Sequence, residues 1–558
     1  MRIRKKVRLL PGPSNSDGWS LLLTLLLASF AAGCGQSKPT APAGGASPSP
    51  KDQSSGAAKA SVPERPDAAP QTVASLYGRH CAACHGEKGD GKGIAAVFLY
   101  PKPRDFRAGN FRLVSTANNV PTIEDLEGAI ARGMPGSAMP PWEHLSAGAR
   151  RELAEYVMQL RRDGAKDIEL AIAAEEETER TPEELEEAIA PLITPGPMIE
   201  VPPLPPSSAE AIERGRELYK TKGCAACHGN EGRGDGQQQM IDTEGFATRP
   251  RDLTRGLYKG DPDPVVVYRR ILAGMPGTPM PSLRDVEPAA IADLTHFVLS
   301  LSDQATRDAT VAKRQQISAG RVPRLPQTPD DTAWQAVSAT RLLTMPLWWR
   351  DDPHPWVDVQ AVHDGQSLAI RLTWDDATHD DGAVRADEFE DMAAVELYQG
   401  NAEPFLGMGS KETPIELWQW RAGTANRSAE DFPSDDYPFD EPIYRQLLKG
   451  QQLPDFITAR AAGNPLATRD QSGADLVAGG LGSTTFRPKA SQVVQSAAVW
   501  KDGRWNVMLS RPLQVAESDG QSLQPAERYS LAAALWDGAA HDRGPQKRIS
   551  LWNDLKID

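Results

Sequence analysis

Two all-α units followed by an all-β sandwich is the architecture predicted by this chain of 558 residues, and three observations predict it. Two stretches of the first 303 residues read alike at a nearly constant offset, and each closes on a helical pattern of apolar residues. From about Val322 the period changes to strand-like alternation between turn signals. Of 13 tryptophans, all except Trp19 and Trp142 lie from Trp334 onward, which marks the C-terminal part as a domain of another kind. The length itself suggests about four domains. A net charge of −14 excludes a nucleic-acid-binding function, whose phosphates require a basic stripe. Five cysteines are too few to build a disulfide scaffold.

Arg2, Arg4, Lys5, Lys6 and Arg8 precede an apolar run from Trp19 to Gly33. A basic head, an apolar middle too short to span a bilayer and small residues at the end predict an export signal over residues 1–33. Ala31, Ala32 and Gly33 run directly into Cys34, which resembles the lipobox of bacterial lipoproteins. That resemblance implies acylation of Cys34 and a lipid anchor at the periplasmic face of a bacterial membrane. Residues 34–70, rich in Ala, Pro, Ser, Gly and Lys, read as a flexible tether. No later run is long and apolar enough to span a membrane.

The other four cysteines form two identical strings 143 residues apart, Cys81-Ala-Ala-Cys84-His85 and Cys224-Ala-Ala-Cys227-His228. C-x-x-C-H is the attachment pattern of c-type haem: two thiols reach the porphyrin vinyl groups, and the next histidine is delivered to the iron. A lone copy is also compatible with a redox dithiol or half a zinc site. Much else repeats here. Leu76-Tyr77 matches Leu218-Tyr219, Gly89-Asp90-Gly91 matches Gly234-Asp235-Gly236, and Pro103-Arg104-Asp105 matches Pro250-Arg251-Asp252. Gly133-Met134-Pro135-Gly136 with Met139-Pro140 matches Gly274-Met275-Pro276-Gly277 with Met280-Pro281. Leu153, Tyr156 and Val157 match Leu294, Phe297 and Val298 in the closing helix.

These units, residues 71–162 and 208–303, resemble class I cytochrome c domains. The resemblance implies a few helices around one covalent haem each, hence two haem c. In that family the iron's methionine usually sits in a G-x-x-M-P string, which assigns Met139 and Met280 beside His85 and His228 and leaves Met134 and Met275 to packing. The thioether raises the potential and fills the sixth position, so such centres pass electrons. A zinc site would need four protein ligands brought together. Arg104 and Arg251 are possible haem propionate contacts, with ordinary surface arginines as the alternative. The resemblance also implies that the carbonyl of Pro103 or Pro250 orients the ligating histidine. His80, His144 and His296 do not repeat and read as surface residues.

Residues 163–207 read as an acidic helical and Pro-rich linker. Thr181-Pro182-Glu183-Glu184 is a helix start with acid in its first turn, and Val201 to Pro206 is an extended spacer. Residues 304–324 form a second linker.

In residues 325–558, Trp356 to Val362 and Ser367 to Trp374 flank Asp364-Gly365, and Ala498 to Trp500 and Trp505 to Leu509 flank Asp502-Gly503, two hairpin signals. Met392 to Tyr398, Ile415 to Trp420 and Leu531 to Trp536 supply further strands, and no helical crossover intervenes. The strings Pro346-Leu347-Trp348-Trp349, Trp374-Asp375-Asp376, Gly407-Met408-Gly409, Trp418-Gln419-Trp420, Arg511-Pro512-Leu513 and Trp536-Asp537-Gly538 resemble the haem-binding subunit of ethylbenzene dehydrogenase and its relatives in the dimethyl sulfoxide reductase family. That resemblance implies a non-covalent haem b held between a methionine and a lysine, here Met408 and Lys547, with Lys411 and Lys556 as rival lysines. Lysine binds iron only when deprotonated, so burial must lower its pKa.

The whole reads as an exported, lipid-anchored multihaem electron-transfer subunit with no catalytic residue of its own. By the resemblance it relays electrons between a molybdopterin and iron–sulfur oxidoreductase and a respiratory carrier. The alternatives are a di-haem peroxidase, which needs an open iron position, and a carbohydrate-binding module with exposed tryptophans tethered to cytochrome c domains.

Overall fold

The computed structural model describes residues 72–350, 355–382, 387–400, 403–404, 408–424, 472–516 and 520–558. The predicted signal, lipid-attachment residue Cys34 and tether lie outside the described residues. Among the described residues, no helix is long and apolar enough to cross a membrane.

The first unit is built from α1 (Val73–His80), α2 (Ala82–His85), α3 (Ile123–Arg132) and α4 (Ala147–Glu175). Thr72 and Ser146 cap α1 and α4 through their hydroxyls, and Thr122 with Asp125 forms a reciprocal capping box on α3. Phe111, Val114, Leu126, Ala154 and Val157 make one side of its core, and Tyr77, Leu153 and Leu160 the other. The closing helix does not stop at residue 162. It continues unbroken to Glu175 through Gly164, where a Cβ would meet Arg107, and Ala165 and Ala173 stay buried along it. The acidic helix predicted at Thr181 forms as α5 (Pro182–Ile193), with its own capping box between Thr181 and Glu184. Ile189 is fully buried, and Glu186 pairs with Arg162 and Lys166, so α5 is docked on α4.

The second unit repeats the plan with α6 (Ala209–Thr221), α7 (Cys224–His228), α8 (Pro264–Ala273) and α9 (Pro288–Ser300), and adds a small hairpin of β1 (Met240–Ile241) and β2 (Ala247–Thr248). Its core is Tyr219, Tyr268, Ile291, Ala292, Leu294 and Phe297. Val201 and Leu204 of the Pro-rich spacer pack against it.

After α10 (Gln304–Ala309) the chain enters a sheet that has 13 strands among the described residues. These are β3 (Gln316–Arg321), β4 (Thr340–Pro346), β5 (Trp356–His363), β6 (Ser367–Asp375), β7 (Met392–Tyr398), β8 (Ile415–Arg421), β9 (Gly473–Ala478), β10 (Thr485–Phe486), β11 (Gln495–Lys501), β12 (Arg504–Pro512), β13 (Arg528–Trp536), β14 (Arg548–Ser550) and β15 (Asn553–Ile557). The order is β10-β9-β8-β7-β13-β14-β4-β5-β6-β12-β11, and β3 pairs in parallel with both β15 and β5. The C-terminal domain therefore starts at β3, inside the stretch expected to be a linker, because Ile317 and Ala319 supply fully buried core positions. Asp502 and Gly503 both have positive φ, as a two-residue hairpin turn requires, and set the register Trp500 opposite Trp505.

The sheet folds over on itself. One core holds Val357, Val359 and Leu372 from β5 and β6 together with Val395, Trp418, Trp420 and Leu531 from β7, β8 and β13. Trp374, Trp420 and Trp505 interlock inside it, with centroids 4.7 to 6.3 Å apart. The sandwich thus forms as two faces of one hydrogen-bonded path.

Candidate functional site

Three cavities lie wall to wall, and the residues singled out by the sequence line them.

In the first unit the α1–α2 junction brings Cys81, Cys84 and His85 to a cavity of about 220 Å³. Gly89-Asp90-Gly91 returns the chain, with Gly91 N–H donating to the His85 carbonyl at 2.8 Å. Gly91 has φ of +71°, and a Cβ there would meet the Pro103 carbonyl at 3.0 Å, so this turn and the Pro-Arg-Asp string repeat together because they touch. His85 Nδ1 donates to the carbonyl of Arg104 at 3.0 Å, one residue beyond the expected Pro103. Its ring stacks on Phe106 with centroids 4.4 Å apart. Burial lowers its pKa to about 4, which keeps the imidazole neutral with Nε2 as a free donor atom. Burial likewise pushes the thiols of Cys81 and Cys84 up, to about 12 and about 11.

The second unit reproduces this arrangement around a cavity of about 220 Å³ lined by Cys224, Cys227 and His228. Gly234 N–H donates to the His228 carbonyl at 2.8 Å, and Tyr219 donates to Gly229 as Tyr77 does to Gly86. Burial lowers the His228 pKa to about 4. One expectation fails: His228 Nδ1 is buried without a hydrogen-bond partner, so the Pro250 carbonyl does not orient it.

Both methionines of each pair line their cavity, Met134 with Met139 and Met275 with Met280. Each pair is closed by the first residue's N–H donating to the second's carbonyl, at 3.0 and 3.2 Å. Met275 is buried, whereas Met139 and Met280 are partly exposed.

The third cavity, about 540 Å³, lies between the C-terminal sheet and the first unit. Met408 and Lys547 both line it, with Leu417, Leu476, Trp536 and Trp552 among its apolar walls. Gly409, at φ of +64°, makes the turn that places Met408; a Cβ there would meet the Thr413 carbonyl at 2.7 Å. Lys547 is 7% exposed, its Nζ lies 4.8 Å from the Trp536 ring centroid, and burial lowers its pKa despite the opposing charge of Glu396. Of the rival lysines, Lys411 is exposed and Lys556 pairs with Asp558 at 2.7 Å. A buried amine and a thioether in one apolar cavity fit an iron porphyrin held without covalent bonds.

His80, Cys84, Leu99, Ala138, Pro140 and Trp142 face both this cavity and that of the first unit. Thr248, Arg249, Arg251 and Lys259 face both cytochrome-unit cavities. The order is therefore C-terminal, first, second. His80 lines the third cavity and is half-buried, and His296 is 8% exposed, so these two are not the surface residues expected, whereas His144 is exposed at the rim of that cavity. Sequence reasoning missed Lys259, Trp142 and His80 because each acts at a junction between domains, which leaves no local pattern.

Arg104 is paired with Glu244 of the second unit, whereas Arg251 has a buried Nε with no hydrogen-bond partner. Of the tryptophans from Trp334 onward, Trp348, Trp349, Trp356 and Trp500 are half-buried and the others are buried.

Residues 68–157 match the family "Cytochrome C oxidase, cbb3-type, subunit III", residues 212–302 match "Cytochrome c", and residues 331–548 match "Ethylbenzene dehydrogenase". Among curated relatives, the "putative respiratory nitrate reductase heme subunit ORF7" of Haloferax mediterranei is 24% identical over 233 residues, 41% of this chain and 67% of that protein. The "chlorate reductase subunit gamma" of Ideonella dechloratans is 26% identical over 200 residues, 36% of this chain and 63% of that protein. The chain thus spans about two thirds of the length of these relatives. A chain of the solved "reducing HAO-like protein complex" of Kuenenia stuttgartiensis is 32% identical, covering 41% of this chain and 96% of that one, with a TM-score of 0.35. The chain carries two cytochrome c domains followed by an ethylbenzene dehydrogenase gamma-like domain.

Proposed function

We propose that this chain, with its two cytochrome c domains and ethylbenzene dehydrogenase-like domain, is the multihaem electron-transfer subunit of an oxidoreductase and carries two covalent c-type haems and one non-covalent b-type haem. The observation that carries the reading is the wall-to-wall order of the three cavities, with Met408 and Lys547 together in the third.

When bound, an iron porphyrin takes up and releases one electron. The protein's own part is to supply donors, exclude water and hold charge. Cys81, Cys84, Cys224 and Cys227 attach; His85 and His228 offer neutral imidazoles because burial opposes their protonation. Met139 and Met280 would supply thioethers to the same groups. Lys547, whose pKa burial lowers, would offer its amine to the same group as the thioether of Met408. With two protein donors at each site no position would be left for a substrate, so the subunit would carry electrons. Leu99, Ala138, Pro140 and Trp142, in the wall shared by the third cavity and that of the first unit, replace water by packed side chains, which would keep the charge change at those two sites cheap to reorganise.

One relative is named as a putative respiratory nitrate reductase haem subunit and another as the gamma subunit of a chlorate reductase. By that likeness the redox partner of this chain is a molybdopterin and iron–sulfur oxidoreductase. The sequence pattern at Cys34 supports an exported, lipid-anchored protein at the periplasmic face.

Acid–acetone extraction followed by a pyridine haemochrome assay tests the haem content, since a covalent haem stays with the polypeptide. One extractable haem for every two retained is the expected result. A protein with two retained haems and none extractable removes the third site.

A further inference from the structure

The two cytochrome-unit cavities meet at a cluster of cations, and the cluster is asymmetric. At the offset of 147 residues that relates Arg251 to Arg104, Lys259 corresponds to Arg112. In the first unit both members of this pair are neutralised from across the junction: Arg104 by Glu244 and Arg112 by Asp242, the latter at 2.6 Å. In the second unit the corresponding Arg251 and Lys259 have no ion pair among the described residues. The buried Nε of Arg251 lacks a hydrogen-bond partner, and the Lys259 ammonium reaches the Arg249 carbonyl only at 3.5 Å. Both side chains line both cavities.

Nearby guanidinium groups sharpen the imbalance. Arg270 donates to the carbonyl of Arg112 at 2.7 Å, and Arg249 lies over the Trp349 ring at 4.8 Å. Burial, followed by the charges of Arg251, Arg112, Arg104 and Arg270, pushes the Lys259 ammonium down to about 7. Cations gathered in a partly desolvated junction are costly unless anions offset them. The carboxylates of Glu244 and Asp242 are taken up by Arg104 and Arg112, so Arg251 and Lys259 are left without one among the described residues, and the group assigned to each adjoining cavity carries two.

We propose that Arg251 and Lys259 form a cationic bridge shared by both cytochrome units, binding propionate carboxylates from the haems of both cavities, so that the first unit's site is completed by the second. This inference rests on the haem reading above. A guanidinium grips a carboxylate bidentately, and the ammonium beside it adds a point charge. Positive charge held near an iron centre favours its reduced form, which carries one positive charge fewer. A bridge that faces both cavities therefore raises both potentials together.

The test uses the full-length holoprotein carrying Arg251→Gln or Lys259→Gln, with the exposed Lys220→Gln as control. Spectroelectrochemical titration should show both c-haem potentials lowered by each bridge variant. One charge at this range should change each reduction equilibrium about tenfold, about 59 mV for one electron. Lys259→Arg, which keeps the charge, should restore both potentials. A fall confined to the second unit's haem, or no fall in either, overturns the bridge. Intact mass separates this failure from the other: a wild-type chain lacking two covalent haems overturns the haem reading and the bridge with it. With both haems present, unmoved potentials overturn the bridge alone.

Discussion

The rings of His80 and Trp142 stand 4.8 Å apart between centroids, tilted by 54°, in the wall between the first cytochrome cavity and the cavity of Met408 and Lys547. Trp142 also meets His144 at 5.5 Å. Burial, then the charge of His144, lowers the His80 pKa to about 4, so the wall is uncharged near neutral pH. Removing the indole should open one cavity into the other. Trp142→Ala is expected to destabilise the first unit by about 3 kcal/mol, read by urea denaturation. It should also speed the transfer of the non-covalent haem to an acceptor such as apomyoglobin, while the covalent haems stay. An unchanged transfer rate would show that Trp142 does not close the third site.

Lys547 and the turn at Gly409 should be separable from the covalent sites. Lys547→Ala is expected to abolish the extractable haem and leave the retained haem unchanged. Gly409→Ala forces a side chain into φ of +64° against the Thr413 carbonyl. The left-handed conformation alone costs about 1–2 kcal/mol, and the displaced Met408 should weaken the same haem. Extractable haem per chain, measured for both variants, checks the assignment; equal content to wild type in Lys547→Ala would remove it.

Each cytochrome cavity has two methionines on its wall, and the G-x-x-M-P string favours the second of each pair. Met139→Ala should abolish the methionine-to-iron charge-transfer band of one haem and lower its potential. Met134→Ala should keep the band and cost about 2–3 kcal/mol in stability as a cavity-forming change. The reverse pattern in the optical spectrum would exchange the roles of the two residues.

Much of this site is written in the chain as local strings, and the rest is not. Cys81-Ala-Ala-Cys84-His85 and its repeat are legible because their chemistry needs fixed spacing on one helical turn. Met408 and Lys547 are 139 residues apart, and only a family resemblance pairs them; the fold then brings both to one cavity. Periodicity read the strands of the hairpins at Asp364 and Asp502 correctly. It missed β3, six residues with a parallel pairing to β15 and β5, because such a short strand between loops carries no turn signal of its own. The junction residues Lys259 and Trp142 gain their roles from domains packed together, which no window along the chain contains.

Asp376 and Asp391 lie under the Trp-rich core, with carboxylate oxygens of these two and Asp537 all within 4.8 Å of one another. Burial raises the pKa of Asp391 to about 7, and the charge of Asp376 adds to it. Burial likewise raises that of Asp376 to about 6, against the Thr378 N–H bond that lowers it. Both folded values exceed the unfolded value of 3.8, so between about pH 4 and pH 7 the folded chain binds more protons. Stability from these groups is fully present below about pH 4 and is lost as pH rises through about 6 and then about 7. Asn at position 376 removes a charge but keeps an oxygen for the Thr378 N–H. Asp376→Asn should therefore stabilise the C-terminal domain at pH 8 by about 1–3 kcal/mol, and the gain should vanish near pH 4. Thermal unfolding of the two proteins across this range checks it. A gain that stays constant with pH would mean that Asp376 is not titrating upward in the folded state.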